Sequence, residues 1–324
     1  MTALANNAAK QNTVKSSRIF GDYLIMCIAP CIVAVWYYGA RFLSVAAIGV
    51  LSALICDFAV KAILGKTFHL RDFSNIFIGI AIALMLPAGI PLYIPVVAAA
   101  FAVIAVKIPF GGALHAPFVP AAAGFAFISV CFKDVVFDYS IAAETKLLGA
   151  QSLGSMLSKG QSVYISAANI FDIISGNVAG PMGTGCGILM LACCGYLFVR
   201  RKKALLATLG FVAACAIYAA VSPRVNAPAI TSIVLELSSG SLMFAAVFLL
   251  TDHATLPHNG INRVIYGAVC GIVCMAMRGA GVFEETVCFA ILLANGFTPV
   301  IDSIVKRFPL KKKTVSSKRE GAQE

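Results

Sequence analysis

Charged residues are scarce in this 324-residue chain: Asp, Glu, Lys and Arg together make up only 12% of it, about half of the share in soluble domains. Hydrophobic residues make up 60%, and the mean hydropathy is +0.91. A soluble globule of this size leaves about a quarter of its chain surface in water, which such a composition cannot supply. The composition therefore excludes a cytosolic enzyme, a secreted disulfide scaffold and a disordered chain. It predicts an integral membrane protein.

Acidic residues are few as well. The chain has 14 Asp and Glu against 25 Lys and Arg, which gives a formal net charge of +11. In a soluble protein such an excess indicates nucleic-acid binding. In a membrane protein it has a simpler cause, because Lys and Arg collect in cytoplasmic loops. We therefore expect the lipid bilayer, and no nucleic acid, as a partner.

Metal-binding patterns are lacking. The sequence has neither a Cys-x-x-Cys pair nor a His-Glu-x-x-His motif, so it predicts no metal site. Cys270 and Cys274 lie four residues apart, as do Cys27 and Cys31, which puts each pair on one helical face. The thiols have two interpretations: ligands of an iron–sulfur cluster, or small apolar side chains that fill a core, which is the simpler one.

Long polar segments are rare, and apolar stretches of about the length that crosses a bilayer follow one another along the chain. They cover residues 20–40, 42–64, 73–91, 92–108, 116–132, 178–199, 204–221, 229–250, 263–280 and 284–305. A single long polar interval, 133–177, separates the first five from the last five. The predicted fold class is an all-α integral membrane protein with about ten transmembrane helices, arranged 5+5 as in the inverted repeats of membrane carriers.

Positive charges orient this arrangement. With a cytoplasmic N-terminus, nineteen of the 25 Lys and Arg lie on cytoplasmic segments and six lie outside. This asymmetry predicts that both termini are cytoplasmic. The predicted regions are a cytoplasmic arm (1–19), a first membrane half (20–132), an extracytoplasmic loop (133–177), a second membrane half (178–305) and a basic cytoplasmic tail (306–324).

Carboxylates inside predicted membrane helices are costly and therefore informative. Asp57 lies in the second stretch, Glu236 in the eighth, and Asp302 near the end of the tenth. Their default interpretation is an ion pathway. The alternative is a structural ion pair, for which Asp57 has a partner one helical turn away in Lys61.

Two turns on the predicted cytoplasmic side, Lys107–Pro120 and Thr251–Gly260, are rich in helix breakers. Irregular backbone at membrane depth survives only where protein buries it or where it lines a cavity, and broken helices offer free N–H groups to anionic ligands. We expect the two turns to pack together and to frame a cofactor or partner site; the alternative is two plain connecting loops. The candidate residues are Phe110, Gly111, Gly112, Pro117, Pro120, Asp252 and Thr255.

Several blocks of the sequence carry a family resemblance. Residues 72–79 resemble the block D-G-S-x-x-x-T-G, residues 107–120 resemble K-x-x-F-G-G…N-P-F-N-P, residues 251–267 resemble T-D-P-V-T-S-P…G-R-x-x-Y-G, and residues 287–302 resemble V-A-F-A-V-L-L-M-N…P-L-I-D. These are blocks of the D subunit of the bacterial Rnf electron-transport complex, which is related to the B subunit of the sodium-pumping NADH:quinone reductase. The resemblance covers nearly the whole chain, although Ala116 and Val119 replace two Asn of the family pattern.

The resemblance also implies a cofactor, FMN, which the family commonly joins by a phosphoester to a Thr in an outer-loop motif S-G-A-T-P-L. The matching loop here contains Gly149, Ala150, Gln151 and Ser152. Gln151 stands at the Thr position and offers only an amide, whereas Ser152 has a hydroxyl. Three alternatives stay open: attachment at Ser152, flavin held without a covalent bond, and loss of the flavin. A purely structural role for Ser152 is to cap a short helix that ends near Lys159.

The resemblance implies that the chain is one component, not active alone, of an ion-translocating oxidoreductase in the bacterial cytoplasmic membrane. Such a complex couples electron transfer between ferredoxin and NAD to export of Na⁺ or H⁺. The implied partners are the membrane subunits A and E, the flavoprotein component G, and the iron–sulfur subunits B and C. The alternative function is a secondary transporter or channel for a small solute with no redox role, because inverted five-helix repeats with broken helices suit it equally well.

Overall fold

The computed structural model describes residues 2–65, 72–139, 152–160, 173–176, 178–225, 228–281 and 283–307. Every regular element among these residues is helical, which confirms the all-α prediction. Apolar side chains on successive helices form one large buried cluster that draws on both halves of the chain. A second, small cluster joins residues of 153–178 to Val225 and Leu235.

The first half consists of α1 (Thr2–Tyr38), α2 (Ala40–Ile63), α3 (Ser74–Met85), α4 (Tyr93–Phe101) and α5 (Pro120–Cys131). A π-helical turn, Ala102–Lys107, continues α4. Pro120 lies in the first turn of α5, where its missing N–H costs no helical hydrogen bond. Two short helices follow, α6 (Lys133–Val136) and α7 (Leu153–Ser158).

The second half consists of α8 (Gly187–Arg200), α9 (Lys202–Val221), α10 (Ala229–Ser238), α11 (Leu242–Phe244), α12 (Gly260–Gly279) and α13 (Val287–Arg307). Here too a π-helical turn, Ala245–Leu249, continues a helix, α11. In both halves, a π-helical turn therefore leads into one of the turns that are rich in helix breakers. π-Helical turns occur frequently at functional sites.

Four helices of the described residues are long and apolar enough to cross a membrane: Ser16–Tyr38, Ala40–Ile63, Lys202–Val221 and Gly260–Gly279. The pair α10 and α11 makes a fifth candidate if it counts as one span. The other apolar helices are shorter: Ser74–Met85, Tyr93–Lys107, Pro120–Cys131, Gly187–Arg200 and Val287–Ser303. Helices thus occur in all ten predicted stretches, but several are too short to count as complete spans by length and composition.

Two predicted stretches of the second half are not continuous helices. In 178–199 the helix begins only at Gly187, because the preceding backbone pairs with the end of α3: the N–H groups of Met182 and Gly183 donate to Leu86 O at 3.0 Å and Leu84 O at 2.9 Å. The stretch 229–250 bends by 73° between α10 and α11. The bend lies at Gly240, whose φ of 64° is in the left-handed region.

Small residues bring the helices into backbone contact. A Cβ on Gly79 of α3 would lie 2.5 Å from Val50 N of α2, and one on Gly267 of α12 would lie 2.0 Å from Ala207 O of α9. Such close approach is how membrane helices gain packing energy without a hydrophobic driving force. This close packing fixes α2 against α3 and α9 against α12, and so fixes the positions of the charged side chains on these helices.

Candidate functional site

The first group of buried charges lies where α2, α3 and the end of α4 meet. We call it the Lys107 cluster; it consists of Asp57, Lys61, Asp72, Asn75 and Lys107. Lys107 Nζ lies 2.8 Å from Asp72 Oδ2, 3.5 Å from Asp57 Oδ1 and 2.6 Å from Asn75 Oδ1. Lys61 Nζ lies 2.7 Å from Asp57 Oδ2, which also accepts a hydrogen bond from Asn75 Nδ2.

Charge balance holds this cluster together. Lys107 is only 1% exposed and Asp57 is fully buried, and two ammonium groups face two carboxylates. Burial raises the pKa of Asp72, but the Lys107 ammonium and the hydroxyl of Ser74 outweigh it and lower that pKa to about 2. Asp57 is therefore held in the structural ion pair that the sequence left as an alternative, and ion passage at this residue stays a prediction.

The second group of buried charges surrounds Glu236 at the end of α10. Arg224 donates two hydrogen bonds to its carboxylate, from Nε to Oε1 at 2.5 Å and from Nη2 to Oε2 at 2.6 Å. Arg278, at the end of α12, donates to Glu236 O and to Ser239 O and lies 3.3 Å from Glu236 Oε2. We call Arg224, Glu236 and Arg278 the Glu236 cluster. Because Glu236 is 1% exposed, two guanidinium groups compensate the cost of burying its charge.

The sequence did not single out Glu284 and Glu285, which precede α13. Glu285 accepts from Ser241 N at 2.9 Å and from Ser241 Oγ at 2.7 Å, and so caps the start of α11 across the bend. Glu284 accepts a hydrogen bond from Ser152 Oγ, at the start of α7. The signal that could have found both is a pair of adjacent carboxylates directly before an apolar helix.

Ser152 caps α7, as the structural alternative expects. Its Oγ accepts from Ser155 N at 3.0 Å and donates to a carboxylate oxygen of Glu284. The side chain is 5% exposed. Gly149, Ala150 and Gln151 lie outside the described residues. A phosphoester at Ser152 would remove the proton that its Oγ donates to Glu284 and place an anionic phosphate beside that carboxylate, so the described part of this loop does not fit covalent FMN.

The two turns that are rich in helix breakers border one cavity, as expected, but none of the seven candidate residues lines it. That the turns frame a cofactor or partner site stays a prediction. A cavity of about 300 Å³ is lined by Leu114 and His115 of the first turn and by His253, Ala254, Leu256, His258 and Arg263 from the second turn and the start of α12. Phe110 and Pro117 are exposed, and Pro120 is buried at the start of α5. Gly111 and Gly112 have φ values of 86° and 114°, which glycine adopts readily.

The second turn is hydrogen-bonded to the first and last helices. Tyr23 Oη of α1 donates to Thr251 O at 2.5 Å, and the guanidinium of Arg201 lies 5.0 Å from the centre of the Tyr23 ring. Asp252 is 4% exposed. Burial raises the pKa of Asp252 to about 6, although Arg201 acts in the opposite direction. Thr255 is also buried, and its carbonyl accepts from Thr298 Oγ1 of α13.

Asp302, the third predicted ion-pathway residue, lies at the edge of the same region. It accepts a hydrogen bond from Asn262 Nδ2, and its Oδ2 lies 3.6 Å from His258 Nδ1. Asp57, Glu236 and Asp302 thus belong to three different groups of side chains. The structure does not bring the three carboxylates into one contact network among the described residues.

Comparison with known proteins gives the family. The model of the NQR2, RnfD, RnfE family matches residues 4–311. The chain belongs to this family. Relatives include proteins of Salmonella typhimurium, Salmonella heidelberg and Salmonella typhi that are named as the D subunit of the ion-translocating oxidoreductase complex. Each is 27% identical over 337 aligned positions, which cover 92% of this chain and 95% of the relative.

In this member of the NQR2, RnfD, RnfE family, residues of separate sequence blocks contact one another. Asp72 and Lys107 come from blocks 35 residues apart and form one ion pair. Tyr266 and Asn295, from the third and fourth blocks, share a buried hydrogen bond. Several residues that carry the resemblance therefore hold the helices and turns in position.

Proposed function

We propose that this chain is the membrane subunit of an ion-translocating oxidoreductase that couples electron transfer between ferredoxin and NAD to export of Na⁺ or H⁺. The observation that carries the proposal is the family match over residues 4–311, together with relatives named as the D subunit of such a complex. The proposed partners are the membrane subunits A and E, the flavoprotein component G and the iron–sulfur subunits B and C. Alone, the chain has no complete electron path and is inactive.

The proposed topology has ten spans in two inverted halves, residues 20–132 and 178–305, in the bacterial cytoplasmic membrane. Both termini are cytoplasmic and residues 133–177 face outward. Helices in all ten apolar stretches support this arrangement, as does the excess of Lys and Arg on the cytoplasmic segments. The short helices complete their spans with irregular backbone, which is stable at membrane depth when protein buries it.

The proposed ion pathway uses the buried acids of both halves. Asp57 pairs with Lys107, and Glu236 pairs with Arg278 of α12 and with Arg224 of the segment between α9 and α10. An ion moving past either carboxylate would compete with those partners, so motion of α2 or α10 would alter its affinity. Paired intramembrane charges of this kind are typical of ion and proton paths in transporters.

For the flavin, we propose that Ser152 is not the attachment site, and we assign no step of the mechanism to FMN in this chain. Co-expression with a flavin transferase, followed by fluorescence imaging of a denaturing gel, tests this. The expected result is that the Ser152→Ala band is as fluorescent as the parent band, or that neither fluoresces. A parent band that disappears in Ser152→Ala but persists in Ser155→Ala would contradict it.

Purification from native membranes through a tag on this chain tests the proposed function. The expected result is a coloured complex that contains flavin and iron–sulfur subunits and reduces NAD with ferredoxin. A colourless chain that purifies alone and moves a solute across liposomes would favour the transporter alternative.

A further inference from the structure

The cavity between the two turns has an unusual lining, all of whose ionisable groups are basic. Its polar side chains are His115, His253, His258 and Arg263, and the remainder are the small or apolar Leu114, Ala254 and Leu256. An imidazole or a guanidinium offers N–H donors, and a protonated imidazole or a guanidinium also offers positive charge. At about 300 Å³, the cavity is at the lower end of the range for small-molecule sites.

Neighbouring charges strengthen the basic character. Arg201 lies close enough to Arg263 to interact with it electrostatically, and its buried Nη1 has no hydrogen-bond partner. Two carboxylates lie nearby, and the buried Oδ2 of Asp252 has no hydrogen-bond partner. Asp302 accepts from Asn262 and faces His258, and Asp252 is buried below the surface and faces Arg201.

The Arg263 side chain is held in position for a ligand. Its Nε donates to Pro257 O at 2.7 Å, and this hydrogen bond fixes the plane of the guanidinium. The N–H groups on the two terminal nitrogens of Arg263 can then donate to a ligand. Planar guanidinium groups bind phosphate oxygens in pairs, with both geometry and charge matched. Because α12 begins at Gly260, the positive end of its dipole adds to the same potential.

We propose that this cavity binds a phosphate-bearing anion at the cytoplasmic face, held by Arg263 and the imidazoles of His115 and His258. The phosphate belongs either to a soluble metabolite or to the headgroup of an anionic lipid, since both present the same phosphate oxygens. The proposal does not depend on the proposed redox function, because binding requires neither electron transfer nor the other subunits.

The test uses the full chain in two preparations. In nanodiscs of neutral phosphatidylcholine, binding of inorganic pyrophosphate is measured by calorimetry. In nanodiscs that also contain phosphatidylglycerol, retention of this lipid is measured by native mass spectrometry. The variant His115→Gln/His258→Gln removes two exposed imidazoles and keeps polar side chains, so folding is preserved. Arg263→Gln removes the guanidinium. The matched control is Lys203→Gln, which removes an exposed positive charge on α9 outside the cavity lining.

For a soluble ligand, we expect pyrophosphate to bind in neutral nanodiscs, about tenfold more weakly in the double His variant and in Arg263→Gln, and within twofold of the parent in Lys203→Gln. For a lipid headgroup, pyrophosphate does not bind, but retained phosphatidylglycerol is lost in the same two variants and kept in the control. The absence of both kinds of binding would overturn the proposal. An equal loss in Lys203→Gln would also overturn it, because it would show non-specific attraction to surface charge.

Discussion

Buried basic side chains compensate the charge of the buried carboxylates in each half of the chain. In the Lys107 cluster the ammonium group serves two carboxylates from different elements, Asp57 and Asp72. Removing one partner of a buried pair leaves an uncompensated charge, which costs far more than the pair itself contributes. Loss of Lys107 therefore leaves both Asp57 and Asp72 without this cation.

We expect Lys107→Met to destabilise the protein by about 3–5 kcal/mol, because Asp72 and Asp57 lose their shared cation. The measurement is thermal unfolding of the purified chain in detergent. Lys203→Met, at an exposed position of α9, is the control and should be nearly neutral. The double variant Lys107→Met/Asp57→Asn should recover part of the loss; a single variant as stable as the parent would refute this account of the cluster.

At Asp252 we expect a pH-dependent effect on stability. Its pKa rises from 3.8 to about 6 on folding, so the native state binds more protons than the unfolded state between pH 4 and 6. Stability should therefore fall as pH rises through this window, by up to about 3 kcal/mol, and reach a plateau above it. In Asp252→Asn this fall should disappear.

Coupled turnover gives the second readout for Asp252. If the second turn contacts a partner or a cofactor, Asp252→Asn should lower ferredoxin-dependent NAD reduction at pH 7 even though the chain is no less stable. Unchanged turnover would count against a functional role for this turn. A stability profile with the same slope as the parent would show that Asp252 is not the titrating group.

At the scale of elements, the sequence predicted where helices occur better than where they break. Hydropathy located the ten stretches that contain helices, because a helix in lipid bonds its own backbone groups and presents apolar side chains. It missed the bend between α10 and α11, where Gly240 has a φ of 64° and the carboxylate of Glu285, from a distant segment, occupies the space beside it. No local pattern records such a contact.

The bend gives a prediction at Gly240. A Cβ at this position would lie 1.6 Å from Glu285 Oε1, and the φ of 64° already disfavours other residues. We expect Gly240→Ala to displace Glu285 and to destabilise the protein by about 1–3 kcal/mol or more. Gly195→Ala, in α8 with no atom within 4 Å of the added Cβ, is the matched control. Equal unfolding temperatures for the two variants would contradict this role of the bend.

For the candidate site, the sequence predicted the participating turns but not their partners. Helix breakers located both turns because irregular backbone needs a protein or cavity environment. His253, His258 and Arg263 lie within eleven residues of one another in the second half, and His115 joins them only through the packing of the two halves. Arg278 is 2% exposed and bound to Glu236, a pairing that the sequence did not predict. Pairing of charges across helices is a tertiary effect that hydropathy does not record.

At the scale of the whole molecule, the proposed topology is tested by accessibility. On a background depleted of cysteine, single cysteines at positions 158 and 316 should react with a membrane-impermeant thiol reagent from opposite sides of the membrane, because residues 133–177 face outward and the basic tail faces the cytoplasm. Position 316 lies outside the described residues, and position 158 is exposed at the end of α7. Labelling of both positions from the same side would refute the ten-span arrangement.

We predict that this chain is required to couple electron flow to ion movement. The most direct measurement compares inverted membrane vesicles from cells with and without the chain, following ferredoxin-dependent NAD reduction and Na⁺ or H⁺ uptake together. We predict that deletion abolishes the uptake along with the coupled NAD reduction, and that re-expression restores both. Full uptake driven by electron transfer in vesicles that lack the chain would contradict the account.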